Sequence, residues 1–324
     1  MSKALRVLVV TNLWPTPADP SYGAAIKAQM DSLRPFGVEY DVVFVNGRES
    51  LVNYLRGVFA VRRRVGAGQY DLIHAHFGLS GWVARFQWRV PVVVKFMGDD
   101  VLGKFDRCGR VTLRGRIFQV SSFVLARCVA GVIVMSEPMK RRLRCAKARV
   151  VWTGVNLDLF RPLDRAQACD TLALDPTKKY VLFPYNPTRA EKRFDLVEAA
   201  VRLAQAHVPE IEILQVAGVP QERIPLYFNA ANALVLASQS EGSPNAVKEA
   251  MAVNLPVISV DVGDVAEVLA GCEGNYIVLP TARAIAEKLV EVCRGSARTH
   301  ARERVAQFSM AAMAQKVLEV YKTV

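Results

Sequence analysis

Histidine is scarce in this chain, with four residues in 324. His74 and His76 share a strand face, as an H-x-H metal pair requires, but no third ligand stands at a diagnostic spacing, so no resident metal is expected. The six cysteines, at 108, 128, 145, 169, 272 and 293, include no C-x-x-C pair and no dense framework. They read as free thiols of a reducing compartment. Long apolar runs are missing too. The run that follows Arg6 is too short for a signal peptide and fits a first strand, and the stretch from Ser121 to Met135 is broken by Arg127 and falls short of a bilayer. Internal repeats of solenoid length and low-complexity linkers are absent. These absences point to a cytosolic, globular chain, whose 52% hydrophobic content can fill two cores.

Charge is divided unevenly. Residues 1–162 hold 25 Lys and Arg against 11 Asp and Glu, whereas the remainder holds 17 against 19. All of the excess of +12 therefore lies in the first half. Clusters at Arg62 to Arg64 and Lys140 to Arg144 suit an anionic lipid surface or an acidic acceptor as well as they suit a solvated face. No nucleic-acid motif or aromatic stacking pattern accompanies the charge, so nucleic acid is not an expected partner.

Strand-like runs alternate with helical stretches: 5–11, 40–46, 71–76, 91–96 and 131–135, then 180–184, 211–217, 233–237, 256–260 and 276–279. Such alternation predicts α/β architecture with parallel sheets covered by helices. The most informative stretch is 232–263, NALVLASQSEGSPNAVKEAMAVNLPVISVDVG. Its apolar run 233–237 reads as a buried strand. Ser243 and Pro244 read as a helix start, the hydroxyl capping an orphan N–H and the proline opening the first turn. The helix is expected to run to about Val253, with Asn254 as a left-handed cap and Pro256 preventing continuation. A second buried strand follows, which makes a βαβ unit whose loop lies at the carboxyl end of a strand, where Gly242 lets backbone approach an anion.

The segment from Ser240 to Leu269 resembles the signature of family 4 glycosyltransferases, S-x-x-E-G-x-P-x-x-x-x-E-A-M-A-x-G-x-P-V, with Asn254 in place of glycine. Residues 151–162 are similar to the family's interdomain G-V-D-x-x-x-F-x-P, and 71–76 to its D-x-x-H-x-H strand end. The resemblance implies a GT-B fold, two Rossmann-like domains facing a cleft, with an acceptor-side domain over 1–155 and a compact nucleotide-sugar-binding domain over 156–324. It implies a retaining transferase that needs no metal or other cofactor beyond its nucleotide-sugar donor. After 215–218 the chain lacks a helix and strand that the family usually has.

The same resemblance assigns roles. Glu249 is expected to hold the ribose hydroxyls and Glu241 the donor sugar. Backbone N–H groups of Ser243, Asn245 and Ala246 approach the sugar or diphosphate. Arg189 and Lys192, after the strand at 180–184, are expected to clamp the phosphates from an open cleft, Arg189 replacing an arginine that the family carries two positions earlier. Gly23 is expected near the donor phosphates, its alternative being a plain turn before a helix. The family's H-G-x-D stands here as Met97, Gly98, Asp99 and Asp100, so Asp100 or His76 takes the place of a histidine against the sugar. The expected reaction moves a sugar to a glycan or lipid-linked acceptor in cell-surface polysaccharide or glycolipid synthesis, with peripheral docking of the first domain on an anionic inner membrane face. A non-catalytic nucleotide-sugar-binding subunit and an epimerase of similar fold are the alternatives.

Overall fold

The computed structural model describes residues 4–68, 70–106, 109–295 and 297–324; Cys108 lies outside them. The chain forms two compact units, Met1–Lys104 with Val111–Trp152 and Met310–Val324, and Phe105–Arg110 with Thr153–Ser309.

In the first unit the order is β1 (Leu5–Thr11), α1 (Ala24–Asp31), β2 (Val38–Phe44), α2 (Val52–Gly66), β3 (Leu72–His76), α3 (Gly78–Arg85), β4 (Val92–Lys95), α4 (Asp99–Leu102), α5 (Leu113–Cys128), β5 (Gly131–Val134), α6 (Glu137–Leu143) and β6 (Ala148–Val150). The strands are parallel, in the order β2-β1-β3-β4-β5-β6. Val7 to Val10 and all of β3 are buried, which is why these strands read as continuous apolar runs without polar alternation. On one face, Val61 and Val65 of α2, Val83 and Ala84 of α3, and Leu125 and Ala126 of α5 join Leu8, Val10, Ile73 and Val94 in a single cluster. Each such side chain withdrawn from water stabilises the fold by roughly 1.5–3 kcal/mol before entropy is counted.

The second unit runs α7 (Arg165–Thr171), β7 (Lys179–Phe183), α8 (Phe194–Gln205), β8 (Ile211–Gln215), α9 (Ile224–Ala230), β9 (Ala233–Leu236), α10 (Asn245–Ala252), β10 (Val257–Ser259), α11 (Val265–Leu269), β11 (Tyr276–Ile277), α12 (Ala282–Gly295) and α13 (Ala301–Val305). Its parallel sheet has the order β11-β10-β9-β7-β8. Helices α8 and α12 cover the face presented by Val181, Phe183, Ala233 and Val235. Helices α9 and α10 pack against β7, β9 and β10.

The last helix, α14 (Met310–Tyr321), returns to the first unit. Met313, Ala314 and Val317 pack on Val7, Val9, Val93 and Ile133, alongside Met30 of α1. A division at 155/156 assigns residues 310–324 to the second domain; the structure gives them to the first, because one face of its sheet has those side chains as part of its cover. The ten strands read from the sequence are all present within two residues at either end, and β6 supplies the strand implied before the boundary.

Candidate functional site

In the second unit β8 and β9 flank β7 on opposite sides, so the loops leaving β7 and β9 diverge at the carboxyl edge of the sheet. Open α/β sheets bind ligands at such a switch point. The loop after β7 carries Tyr185, Arg189 and Lys192. The loop after β9 carries Glu241, Gly242 and Ser243 and leads into α10, whose first N–H groups, Asn245 and Ala246, have no partner within the helix.

Lys192 and Glu241 meet there. The Lys192 Nζ donates to Glu241 Oε1 at 2.5 Å, with side chains 6% and 13% exposed. The ammonium also lies 4.0 Å from the centre of the Tyr185 ring. Burial raises the Tyr185 phenol well above its ordinary value, and the charges of Glu241 and Glu249 push it in the same direction, so both glutamates act on one ring. Glu249 keeps part of its surface open, but its carboxyl is desolvated enough to be pushed up to about 7, against the pull of Lys248. The structure thus gathers two residues expected from the sequence, Lys192 and Glu241, beside a third, Tyr185, that was not singled out. Its signal was its place two residues past the end of a strand.

Two expectations need correction. Lys192 is not displayed on an open cleft but is held almost buried by Glu241. Arg189 does not join it: the guanidinium is exposed and pairs with Glu191 at 2.8 Å. The two side chains diverge because residues 190–192 form a 3-10 turn that carries Lys192 inward.

Ser243 does not cap α10 either. Its Oγ accepts from the Thr153 N–H at 3.1 Å and from the Lys248 Nζ at 2.7 Å, and donates to Asp264 Oδ2 at 2.7 Å. Lys248 and Asp264 are themselves paired at 2.7 Å, 1% and 5% exposed. This buried triad ties the 241–244 loop to the turn before α11. Gly263, at φ 61°, sits where an added Cβ would lie 2.9 Å from the Gly242 carbonyl oxygen. Lys248 and Asp264 escaped the sequence reading because a Lys inside a helix ordinarily points to water. Asn254 does adopt the left-handed conformation, at φ 58°, and its side chain accepts from the Arg302 N–H at 2.9 Å, a bond that glycine lacks.

A cavity of about 1240 Å³ opens beside this site on the α8 side, lined by Thr188, Arg193, Ser238, Gln239, Asp261 and the 277–280 segment among others. Lys192, Glu241 and Glu249 are not among its lining residues. It borders them through Gln239, whose N–H donates to the Glu191 carbonyl at 2.9 Å.

The first unit has its own switch point, between β1 and β3. Gly23 stands just before α1 at φ 77°, and an added Cβ would meet the Leu13 carbonyl carbon at 2.4 Å, so the packing of this turn by itself requires glycine. His76 is fully buried, stacked on His74 with ring centres 4.2 Å apart, and its Nε2 lies 3.3 Å from the Gln29 amide nitrogen. Burial and the neighbouring His74 and Lys95 hold its pKa well below the usual histidine value. An imidazole so placed is neutral and faces the interior beside Gln29. Asp100 is likewise turned inward. Its Oδ1 accepts from Met97 and Gly98 N–H groups at 3.0 Å and its Oδ2 from the Gly78 N–H at 3.1 Å, while burial pushes the acid up to about 7. It fastens the 97–100 loop to the start of α3.

Residues 3–151 match the model of a glycosyl transferase 4-like domain and residues 191–294 that of glycosyl transferases group 1. D-inositol 3-phosphate glycosyltransferase 2 of Catenulispora acidiphila is 26% identical over 278 residues, covering 70% of this chain and 63% of that protein. The chain thus spans less than two thirds of that relative's length. Among solved structures, a sucrose-phosphate synthase from Thermosynechococcus elongatus superposes with a TM-score of 0.81 at 20% identity, covering 99% of this chain and 98% of the other. Anabaena Alr3699/HepE in complex with UDP-glucose does so at 0.66 and 15%, covering 99% and 100%.

Proposed function

Because the chain belongs to the family 4 glycosyltransferases and has their GT-B fold, we propose that it transfers a sugar, with retention, from a nucleotide-sugar donor to a glycan or lipid-linked acceptor in the synthesis of cell-surface polysaccharide or glycolipid. The observation that carries this reading is the meeting of Lys192, Glu241 and Tyr185 at the switch point, next to the start of α10. A solved neighbour holding UDP-glucose supports a donor of that class.

In this reading the diphosphate lies against the N–H groups of Ser243, Asn245 and Ala246, where the helix dipole favours negative charge. Lys192 shares its ammonium between Glu241 and the departing phosphate. As the bond from the anomeric carbon to the phosphate oxygen breaks, negative charge grows on that oxygen and a fixed cation stabilises it without reorganisation. The same oxygen takes the proton of the acceptor hydroxyl, which attacks from the side the phosphate leaves. Glu241 holds donor-sugar hydroxyls and Glu249 accepts from the ribose. No carboxylate forms a covalent intermediate.

The test is turnover of a panel of nucleotide sugars by the purified protein, with and without candidate acceptors, and the anomeric configuration of the product read by NMR. Nucleotide release with a retained anomer supports the proposal. Donor-induced thermal stabilisation without turnover of any donor supports a binding subunit instead, and an inverted product refutes the mechanism.

A further inference from the structure

Helices α2, α3 and α5 lie side by side on one face of the first sheet, since their inner residues share one core cluster. Their outward residues therefore form one continuous surface. That surface is unusually apolar: Leu55 and Phe59 of α2 are 65% and 71% exposed, and Leu113, Ile117 and Val120 of α5 are 77%, 59% and 65% exposed. On each helix these positions recur three or four residues apart, which gathers them into a stripe. Scattered exposed hydrophobes need no explanation, but two parallel stripes on one face do.

The helices that carry the stripes bear charge of a single sign. The three helices contain eight arginines, four on α2, one on α3 and three on α5, and no Asp or Glu. Arg56, Arg62 and Arg63 on α2 and Arg114, Arg116 and Arg127 on α5 are exposed. A second copy of this chain is a poor occupant for such a face, because it would bring a second set of arginines against the first with no carboxylate on these helices to meet them. A water-filled surround is poor too, because the stripes keep large side chains in water. An anionic bilayer satisfies both features together: apolar side chains enter among the acyl chains while arginines reach the phosphates at the headgroup level.

We propose that the outer face of α2, α3 and α5 is the membrane-docking surface of the protein, seating Leu55, Phe59, Leu113, Ile117 and Val120 in an anionic leaflet. This deepens the reading of a lipid-linked acceptor and rests on it only for its purpose, since docking itself needs no turnover. It also changes the expected character of the attachment. Charge attraction alone dissolves in salt, whereas inserted side chains hold.

Flotation of the whole protein with vesicles of phosphatidylglycerol, and separately of phosphatidylcholine, tests the proposal. Binding is expected to the anionic vesicles, reduced but not abolished at about 0.5 M salt, where the screening length is a few Å. Phe59→Gln and Ile117→Gln should each weaken the salt-resistant binding about tenfold, the loss of one inserted side chain. Both should leave the melting temperature and donor turnover in solution at the parent level. Unchanged vesicle binding in both variants, equal binding to neutral vesicles, or a self-association that the same substitutions abolish would overturn it, as would capture of an acidic protein by a face that binds no vesicle. Loss of donor turnover with vesicle binding intact would count against the transferase reading alone.

Discussion

Glu249 is the group through which pH reaches donor binding. In the empty site burial pushes its carboxyl up to about 7 from an ordinary value of 4.5. A ribose hydroxyl donates best to the ionised form, so the donor binds the ionised fraction and its apparent affinity scales with that fraction. The fraction is about nine-tenths at pH 8 and about one-tenth at pH 6, so Kd should rise about tenfold, or about 1.4 kcal/mol, as pH falls between them. The sign for the empty protein is the reverse. Its native state keeps a proton that the unfolded chain has lost, so stability falls as pH rises from 4.5 to about 7, and the donor restores it. Calorimetric titration with a nucleotide sugar at constant ionic strength measures the slope directly, since the doubly esterified diphosphate does not titrate in this window. Glu249→Gln keeps an acceptor for the ribose but removes the ionisation. Its profile should be flat, and at pH 8 its binding should be weaker by roughly 1.5–3 kcal/mol, the worth of a charged hydrogen bond. A flat profile in the parent, or an equal slope in the variant, refutes the reasoning.

Lys192→Ala, which a clamp on an open cleft would tolerate structurally, should cost about 3 kcal/mol of stability because it strands Glu241 nearly buried beside Tyr185. An unchanged urea midpoint would contradict this. Asp264→Ala should cost a similar amount, about 3 kcal/mol, by leaving Lys248 uncompensated, and should raise the donor Kd through the loosened 241–244 loop; unchanged stability and affinity would show that the triad holds nothing in place. Gly263→Ala should destabilise by more than the roughly 1 kcal/mol of a left-handed alanine, because its Cβ also presses on the Gly242 carbonyl. Treatment with a chelator should leave transfer intact, as Lys192 and the start of α10 neutralise the diphosphate; a loss that magnesium reverses would show otherwise.

The strands were legible because doubly covered strands are written as runs such as Leu72 to His76 and Ala233 to Leu236, and Asn254 because few residues other than glycine tolerate its conformation. What the sequence hid are partners far apart along it. Lys192 finds Glu241 across 49 positions and Ser243 finds Asp264 across 21, and no local pattern distinguishes a lysine that will meet such a partner from one that stays in water. The inward turn of His76 and Asp100 was hidden for the same reason: their motifs show where the backbone goes, while Gln29 and the Gly78 N–H hold the side chains. The attachment of α14 was equally invisible, since an amphipathic helix does not name the sheet it will cover.

That attachment has a consequence for how the protein is made. The His74 Nδ1 and the Tyr321 hydroxyl lie 2.6 Å apart, joining β3 to the end of α14. A ribosome delivers β6 roughly 160 residues ahead of α14, which at about 5–20 residues per second is on the order of ten to thirty seconds. Throughout that interval, while Thr153–Ser309 is being made, Val7, Val9 and Ile133 lack part of their cover. The half that is translated first is therefore the half that finishes last, and during synthesis its unsheltered sheet is the natural client for a chaperone.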